Sequence, residues 1–376
     1  MKPLGLYLHI PFCKSKCRYC DFCSFPHFGQ QEMDAYVEAL CRDLRERGEA
    51  CGDYAVDTVY FGGGTPTYLG AERLERILRT VTDCFCLDSG AEITAECNPA
   101  TVDEVGLARM RSAGFNRLSI GLQSTHANEL KRLGRLHDFE DFCRTWESAD
   151  RVGFSNLSAD VMFGIPEQTR ESFAQTLERV VALRPKHLSA YALTVEEGTP
   201  FGRMGEEQLS LPDEESVRAM YLDMNAYLSA NGLERYEISN FAQRGYESRH
   251  NLKYWRSEEY LGFGPAAHSD FGGVRFGNGR DFAGYLAGGD ITEERYTPDR
   301  RERMNEYVML RMRLREGIDA AELKERFGQE AARLLCGLER YLAGGFVHRT
   351  PTGFCFTSEG MLVSNTVLSE VLDFGR

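Results

Sequence analysis

The chain has 376 residues, 42% of them hydrophobic and 27% charged, a composition and length that suit a folded protein with one large core and a smaller one. Its formal net charge of −13 disfavours a nucleic-acid partner, since the densest basic run, Arg300, Arg301 and Arg303, is interleaved with acids as a solvated helical face is. No apolar stretch approaches the length of a bilayer span, and the opening MKPLGLYLHIPF carries neither a basic leader region nor a small-residue cleavage site, so the expected address is the cytoplasm.

Short β-branched and aromatic runs at residues 5–10, 57–61, 92–97, 117–122, 158–163 and 187–193 each predict a buried strand. Helical patterns at 33–48, 71–82, 102–114 and 171–183 lie between them, the alternation of βαβ units. Six such units predict an α/β fold, an open or partial parallel (β/α)6 barrel over residues 1–200. The loops leaving the carboxyl ends of its strands should gather at one mouth. From 201 to 291 the alternation fades into a helix (213–231), a strand over YEISNF and a Gly/aromatic-rich stretch, which reads as an elaboration closing that mouth. Residues 292–376 offer helices at 302–314, 320–327 and 330–343 and then VHRTPTGFCFT, a predicted hairpin. That pattern suits a mainly helical, winged-helix-like domain.

The chain has twelve cysteines, and a cytosolic protein keeps thiols reduced, so no disulfide scaffold is expected. Cys41, Cys51, Cys84, Cys86, Cys97, Cys143, Cys336 and Cys355 are scattered and read as small buried hydrophobes. Cys13, Cys17 and Cys20 differ: they stand as C-x3-C-x2-C in the loop directly after the first strand. Three thiolates this close can hold three irons of a cubane and leave the fourth open. A structural zinc site would ask for a second pair of ligands, and no such pair follows at suitable spacing. Cys23, three residues further on, stays outside this ligand set.

FGGGTPT, at residues 61–67, ends the second strand with consecutive glycines, which let a backbone approach a ligand closely; alone it is equally a tight turn. Glu96, Gln123, Arg135 and Asp160 stand at later strand ends. Any one of them could be a satisfied core polar group, but together they form a ring able to hold ribose hydroxyls, an ammonium and a carboxylate.

The triple cysteine with an aromatic residue, Tyr19, before its last member resembles the signature of the radical S-adenosylmethionine (SAM) superfamily. With YLHIPFCKSKCRYCDF, FGGGTPTYL, EITAECNPATV, RLSIGLQS, LGRLH, DVMFGIPEQT and EISNFA, the chain resembles the branch containing the oxygen-independent coproporphyrinogen III dehydrogenases (HemN-like) and the HemW-like haem chaperones. The resemblance implies a [4Fe–4S] cluster on Cys13, Cys17 and Cys20 and SAM on its open iron. It assigns SAM contacts to Tyr7, Tyr19, Gly63, Gly64, Thr65, Glu96, Gln123, Arg135 and Asp160.

Within the branch, the dehydrogenase pattern has a fourth cysteine directly after the third and a long amino-terminal extension. Here Asp21 fills that slot and twelve residues precede Cys13. His250, Asn251, Tyr254 and Trp255 form HNLKYW, which resembles a haem-associated HNxxYW motif of the chaperones; read without the family, it is a loop pinned by its aromatic residues. The expectation is a haem chaperone that carries haem as cargo to apo-haemoproteins, respiratory ones first. A reductant for the cluster and peripheral contact with membrane-bound recipients are the other expected partners. The alternative is the dehydrogenase of porphyrin synthesis, which decarboxylates coproporphyrinogen III oxidatively. Ligands for SAM do not by themselves imply turnover.

Overall fold

The first apolar run sets the architecture. In β1 (Lys2–Ile10) every residue from Leu4 to Ile10 is buried except the half-buried Tyr7, the pattern of a strand covered on both faces in a parallel sheet. Five more strands follow: β2 (Tyr54–Gly63), β3 (Leu87–Cys97), β4 (Arg117–Gln123), β5 (Asn156–Phe163) and β6 (His187–Ala192). Each pairs in parallel with its predecessor, as expected. The structure, a computed structural model, describes residues 1–26 and 28–372; the last four residues of the expected tail domain, 373–376, lie outside the described residues.

The connecting helices cover the outside of this sheet: α1 (Gln30–Gly48), α2 (Ala71–Cys84), α3 (Glu104–Ala113), α4 (Phe139–Arg151) and α5 (Arg170–Ala182). In α1, Met33, Tyr36, Val37, Leu40, Cys41 and Leu44 are buried at spacings of three and four, one apolar stripe against the core. Asp138 and Thr169 start α4 and α5 by accepting the amide protons of Asp141 and Ser172. The sequence reading names no helix at α4, which buries Phe142, Thr145, Trp146 and Ala149 within an otherwise acidic stretch.

After β6, α6 (Glu214–Ala230) leads to β7 (Asn240–Ala242), antiparallel to β6. Most of the strand expected over YEISNF is absent. The Glu237 carboxylate accepts the amide proton of Ser239 at 2.8 Å and a bond from the Asn240 side chain, a local alternative to ladder pairing that bends the chain. Next come α7 (Arg249–Trp255) and β8 (Tyr260–Phe263), which is parallel to β1 on its other edge, then the antiparallel β9 (His268–Phe271), β10 (Val274–Asn278) and β11 (Thr292–Tyr296). The sheet has twelve strands, with β11 at one edge and Glu234–Arg235 at the other. The barrel is therefore partial.

The HNLKYW helix does not close the mouth. Glu92, near the start of the paired part of β3, accepts the amide protons of Arg249 and His250 at 3.2 and 3.1 Å. The Lys253 stem lies where a Cβ on Gly5 would stand, 2.8 Å away, and its ammonium pairs with Asp57 at 2.8 Å. α7 thus seals the base, the amino-terminal ends of the strands, where the expectation had it at the opposite end.

The tail carries α8 (Arg300–Arg311), α9 (Ala320–Phe327) and α10 (Gln329–Glu339) with a small antiparallel sheet of Ile318–Asp319, Val347–Arg349 and Gly353–Phe356. The last two strands are the expected hairpin. Arg303 holds this unit to the barrel sheet through a two-toothed pair with Asp270, at 2.6 and 3.0 Å. Among the scattered cysteines, Cys41, Cys51, Cys97 and Cys355 are buried as expected, but Cys86 and Cys336 are exposed and Cys84 and Cys143 intermediate. No helix among the described residues is long and apolar enough to cross a membrane.

Candidate functional site

The loop after β1 and the loop after β2 are stitched together by backbone. Gly64 N donates to the Ile10 carbonyl at 2.8 Å and Thr65 N to that of Phe12 at 2.7 Å. A Cβ on Gly64 would lie 2.8 Å from both of those acceptor regions, at Ile10 O and Phe12 O, so a side chain there has no room. Gly63 sits at φ +107, with the His9 ring 2.5 Å from where its Cβ would be. The two glycines bring bare backbone to the mouth of the barrel.

That mouth is a cavity of about 580 Å³, and Cys13, Cys17, Cys20 and Tyr19 form one side of it. Cys13 Sγ lies 3.5 Å from Thr65 Oγ1, and the buried guanidinium of Arg135 comes within 3.5 Å of Cys17 Sγ. Burial pushes the Cys20 thiol up to about 11 and raises that of Cys13. Metal ligation would instead hold both as thiolates, with the Arg135 charge alongside. Among the described residues no three His, Cys, Asp or Glu side chains converge on a point suited to a single metal ion. The three thiols border one cavity, a donor set that fits the cysteine ligation of a [4Fe–4S] cluster.

Gly63, Gly64, Thr65, Glu96, Gln123, Arg135 and Asp160 also line the cavity. Glu96 accepts from the Tyr60 hydroxyl at 2.9 Å and from Gly63 N at 3.1 Å, yet burial still raises its carboxyl to about 7. Asp160, raised by burial too, accepts from Ser119 at 2.9 Å and Ser158 at 3.3 Å. Arg135 donates to Asn98 at 2.6 Å and to the Gly121 carbonyl at 2.7 Å. Gln123 is held at φ +73, an uncommon backbone for a residue with a side chain, and its Oε1 is buried without a partner. Arg117 Nε is likewise buried and unpartnered. Such orphaned groups at the rim of a cavity fit a polar ligand. Tyr60, Asn98, Arg117 and Ser119 also line the cavity, and sequence reasoning missed them; an arginine inside the apolar run RLSIGLQ was the available signal.

Eight of the nine residues expected around SAM meet here. Tyr7 does not: its hydroxyl lies 3.1 Å from His9 Nδ1, and the residue lines a second cavity on the other side of the cysteine loop. The four HNLKYW residues are also dispersed. His250 is 1% exposed, with Nδ1 2.8 Å from Thr58 Oγ1 and Nε2 2.8 Å from the Tyr254 hydroxyl, so both ring nitrogens are engaged. Burial lowers its pKa to about 3, helped by Lys253 and Arg117. Asn251 reaches the mouth cavity from below and Tyr254 the second cavity, while Trp255 is half-buried at the end of α7.

Residues 7–180 match the Radical SAM superfamily and residues 299–363 the HemN C-terminal domain. The heme chaperone HemW of Bacillus subtilis is 34% identical over 97% of this chain and 98% of its own length. That of Escherichia coli is 34% identical over 98% of both chains, and that of Mycobacterium tuberculosis 33% identical over 99% and 95%. Among solved structures, coproporphyrinogen III oxidase (HemN) from Escherichia coli superposes with a TM-score of 0.87 at 24% identity, covering 99% of this chain and 91% of its own. At that identity the likeness speaks for the fold.

Proposed function

The chain belongs to the family of the haem chaperone HemW, within the radical SAM superfamily, and from that premise we propose that it takes up haem and passes it to apo-haemoproteins in the cytoplasm. Respiratory enzymes are the recipients we expect first, reached at the membrane surface by peripheral contact. The observation that carries this reading is the likeness to HemW chaperones over the whole chain.

Cys13, Cys17 and Cys20 would hold a [4Fe–4S] cluster, which supplies one-electron reducing chemistry when a reductant loads it. The rest of the mouth is suited to SAM. Backbone of Gly63 and Gly64 can meet its amino-acid head, and the Arg135 guanidinium its carboxylate. Glu96, poised near neutrality, gains most from a cationic partner. Asp160 and Thr65 can accept from hydroxyls, and Gln123 Oε1 finds in the ligand the donor it lacks in the protein. Tyr19 packs beside the thiols against the apolar cluster of Leu133 and Met162.

The test is an anaerobic assay on cluster-reconstituted protein. Haem is titrated by absorbance, transfer to an apo-haemoprotein is followed by its regained spectrum, and coproporphyrinogen III with SAM is followed by product analysis. Stoichiometric haem uptake and transfer without decarboxylated product is the expected result. Conversion to protoporphyrinogen without haem retention would make the protein a dehydrogenase.

A further inference from the structure

If the mouth holds the cluster and SAM, haem needs another place. A second cavity of about 700 Å³ lies on the far side of the cysteine loop, between that loop and the β8–β10 extension. It falls within the roughly 300–1,000 Å³ of sites that take cofactor-sized ligands. Three tyrosines, Tyr7, Tyr254 and Tyr260, line it; Tyr254 and Tyr260 meet edge to face with centroids 4.6 Å apart. Phe22, 68% exposed, adds an apolar ring at the loop side.

Two residues with metal-binding side chains, His268 and Cys23, line this space. His268 is, among the described residues, the histidine whose imidazole makes no hydrogen bond; His9, His126, His137, His187, His250 and His348 each make at least one. Its ring lies over Gly277, where a Cβ would come within 2.8 Å of Nδ1, so the glycine on β10 makes room for it. Cys23 is 5% exposed, and its backbone carbonyl is fixed by His9 Nε2 at 2.7 Å. Two such donors are too few for a free zinc ion, which wants four. They are enough for an iron whose other four ligands are porphyrin nitrogens. Arg280 stands at the rim, 3.7 Å from Asp21, and can turn to a propionate; Glu293 and Glu294 share that rim and would turn propionates away from their side.

We infer that this cavity is the haem berth, with His268 as axial ligand, Cys23 as the second ligand once its proton leaves to solvent, and the tetrapyrrole against the tyrosines. The inference rests on the chaperone reading and deepens it by moving the iron from the sealed His250 to the open face that Tyr254 lines.

The test uses the full chain with its cluster reconstituted, titrated separately with ferric haem and with metal-free protoporphyrin IX. His268→Ala should weaken haem binding at least tenfold and change its absorbance spectrum, while protoporphyrin affinity, which needs no axial ligand, holds. Cys23→Ser should change the haem spectrum with the iron and sulfide content of the cluster unaltered. Wild-type affinity and spectrum in both variants, or loss of haem on His250→Ala with His268→Ala unaffected, would overturn the berth. Failure of the wild-type protein to bind haem would instead remove the chaperone reading itself.

Discussion

The two ends of the barrel treat buried polar groups in opposite ways. At the base, two histidines are each bridged between a strand hydroxyl and a tyrosine: His250 between Thr58 and Tyr254, His187 between Ser158 and Tyr236, with every bond at 2.8 Å. At the mouth, Gln123 Oε1 has no partner and Glu96 is held near neutrality. Histidines bridged as at the base stabilise the fold. A mouth with an unpartnered group is poised for ligands, and the contrast locates function more securely than any single residue does.

The sharpest way to break the contrast is at the thiols. Cys17→Ser should abolish the cluster, with iron and sulfide falling to background on reconstitution, while the near-ultraviolet circular dichroism of the base aromatics is kept. Next comes Gly64→Ala, whose Cβ has no room between Ile10 O and Phe12 O. We expect SAM affinity in equilibrium dialysis to fall by a factor of ten or so, about 1.4 kcal/mol, with a stability loss of about 1–3 kcal/mol in denaturant titration from the overpacking. At the base, Thr58→Val leaves His250 Nδ1 buried without its hydroxyl. That should cost about 1–3 kcal/mol of stability and leave SAM affinity nearly unchanged; a large loss of SAM binding would erase the distinction between the two ends.

A further effect is in pH, and its sign differs between the ends. Glu96 is raised from 4.5 to about 7 in the fold. The folded state therefore holds its proton longer, and this contribution to stability is lost as pH rises through 7. His250 is lowered from 6.5 to about 3, so its contribution is complete above 6.5 and is lost as pH falls towards 3. Glu96→Gln should flatten the limb near neutrality and spare the acid limb in pH-dependent denaturation curves; the reverse would mean the two groups have been assigned to the wrong ends.

Much of the barrel is legible in the sequence because each strand's burial is written locally, as in LGLYLHI and RLSIGLQ. So is the cluster loop, since C-x3-C-x2-C places its donors within eight residues. Burial of HNLKYW was not legible: it depends on Glu92, Thr58 and Gly5, far away in the chain. α4 was hidden by its acidic content, and YEISNF reads as a strand until the side chain of Glu237 competes for the backbone. The second cavity draws on residues from Tyr7 to Glu294, and no local pattern announces such a space.

Asp21 and Phe22 line both cavities, so one dipeptide is a party wall between two tenants. Any movement of that wall on filling one side alters the other, and thermodynamic reciprocity fixes the exchange: the factor by which SAM changes haem affinity equals the factor by which haem changes SAM affinity. Loading and release of cargo would then report the cofactor state without a hinge or a second subunit, and a haem affinity that is the same with and without SAM would show that the wall does not join them.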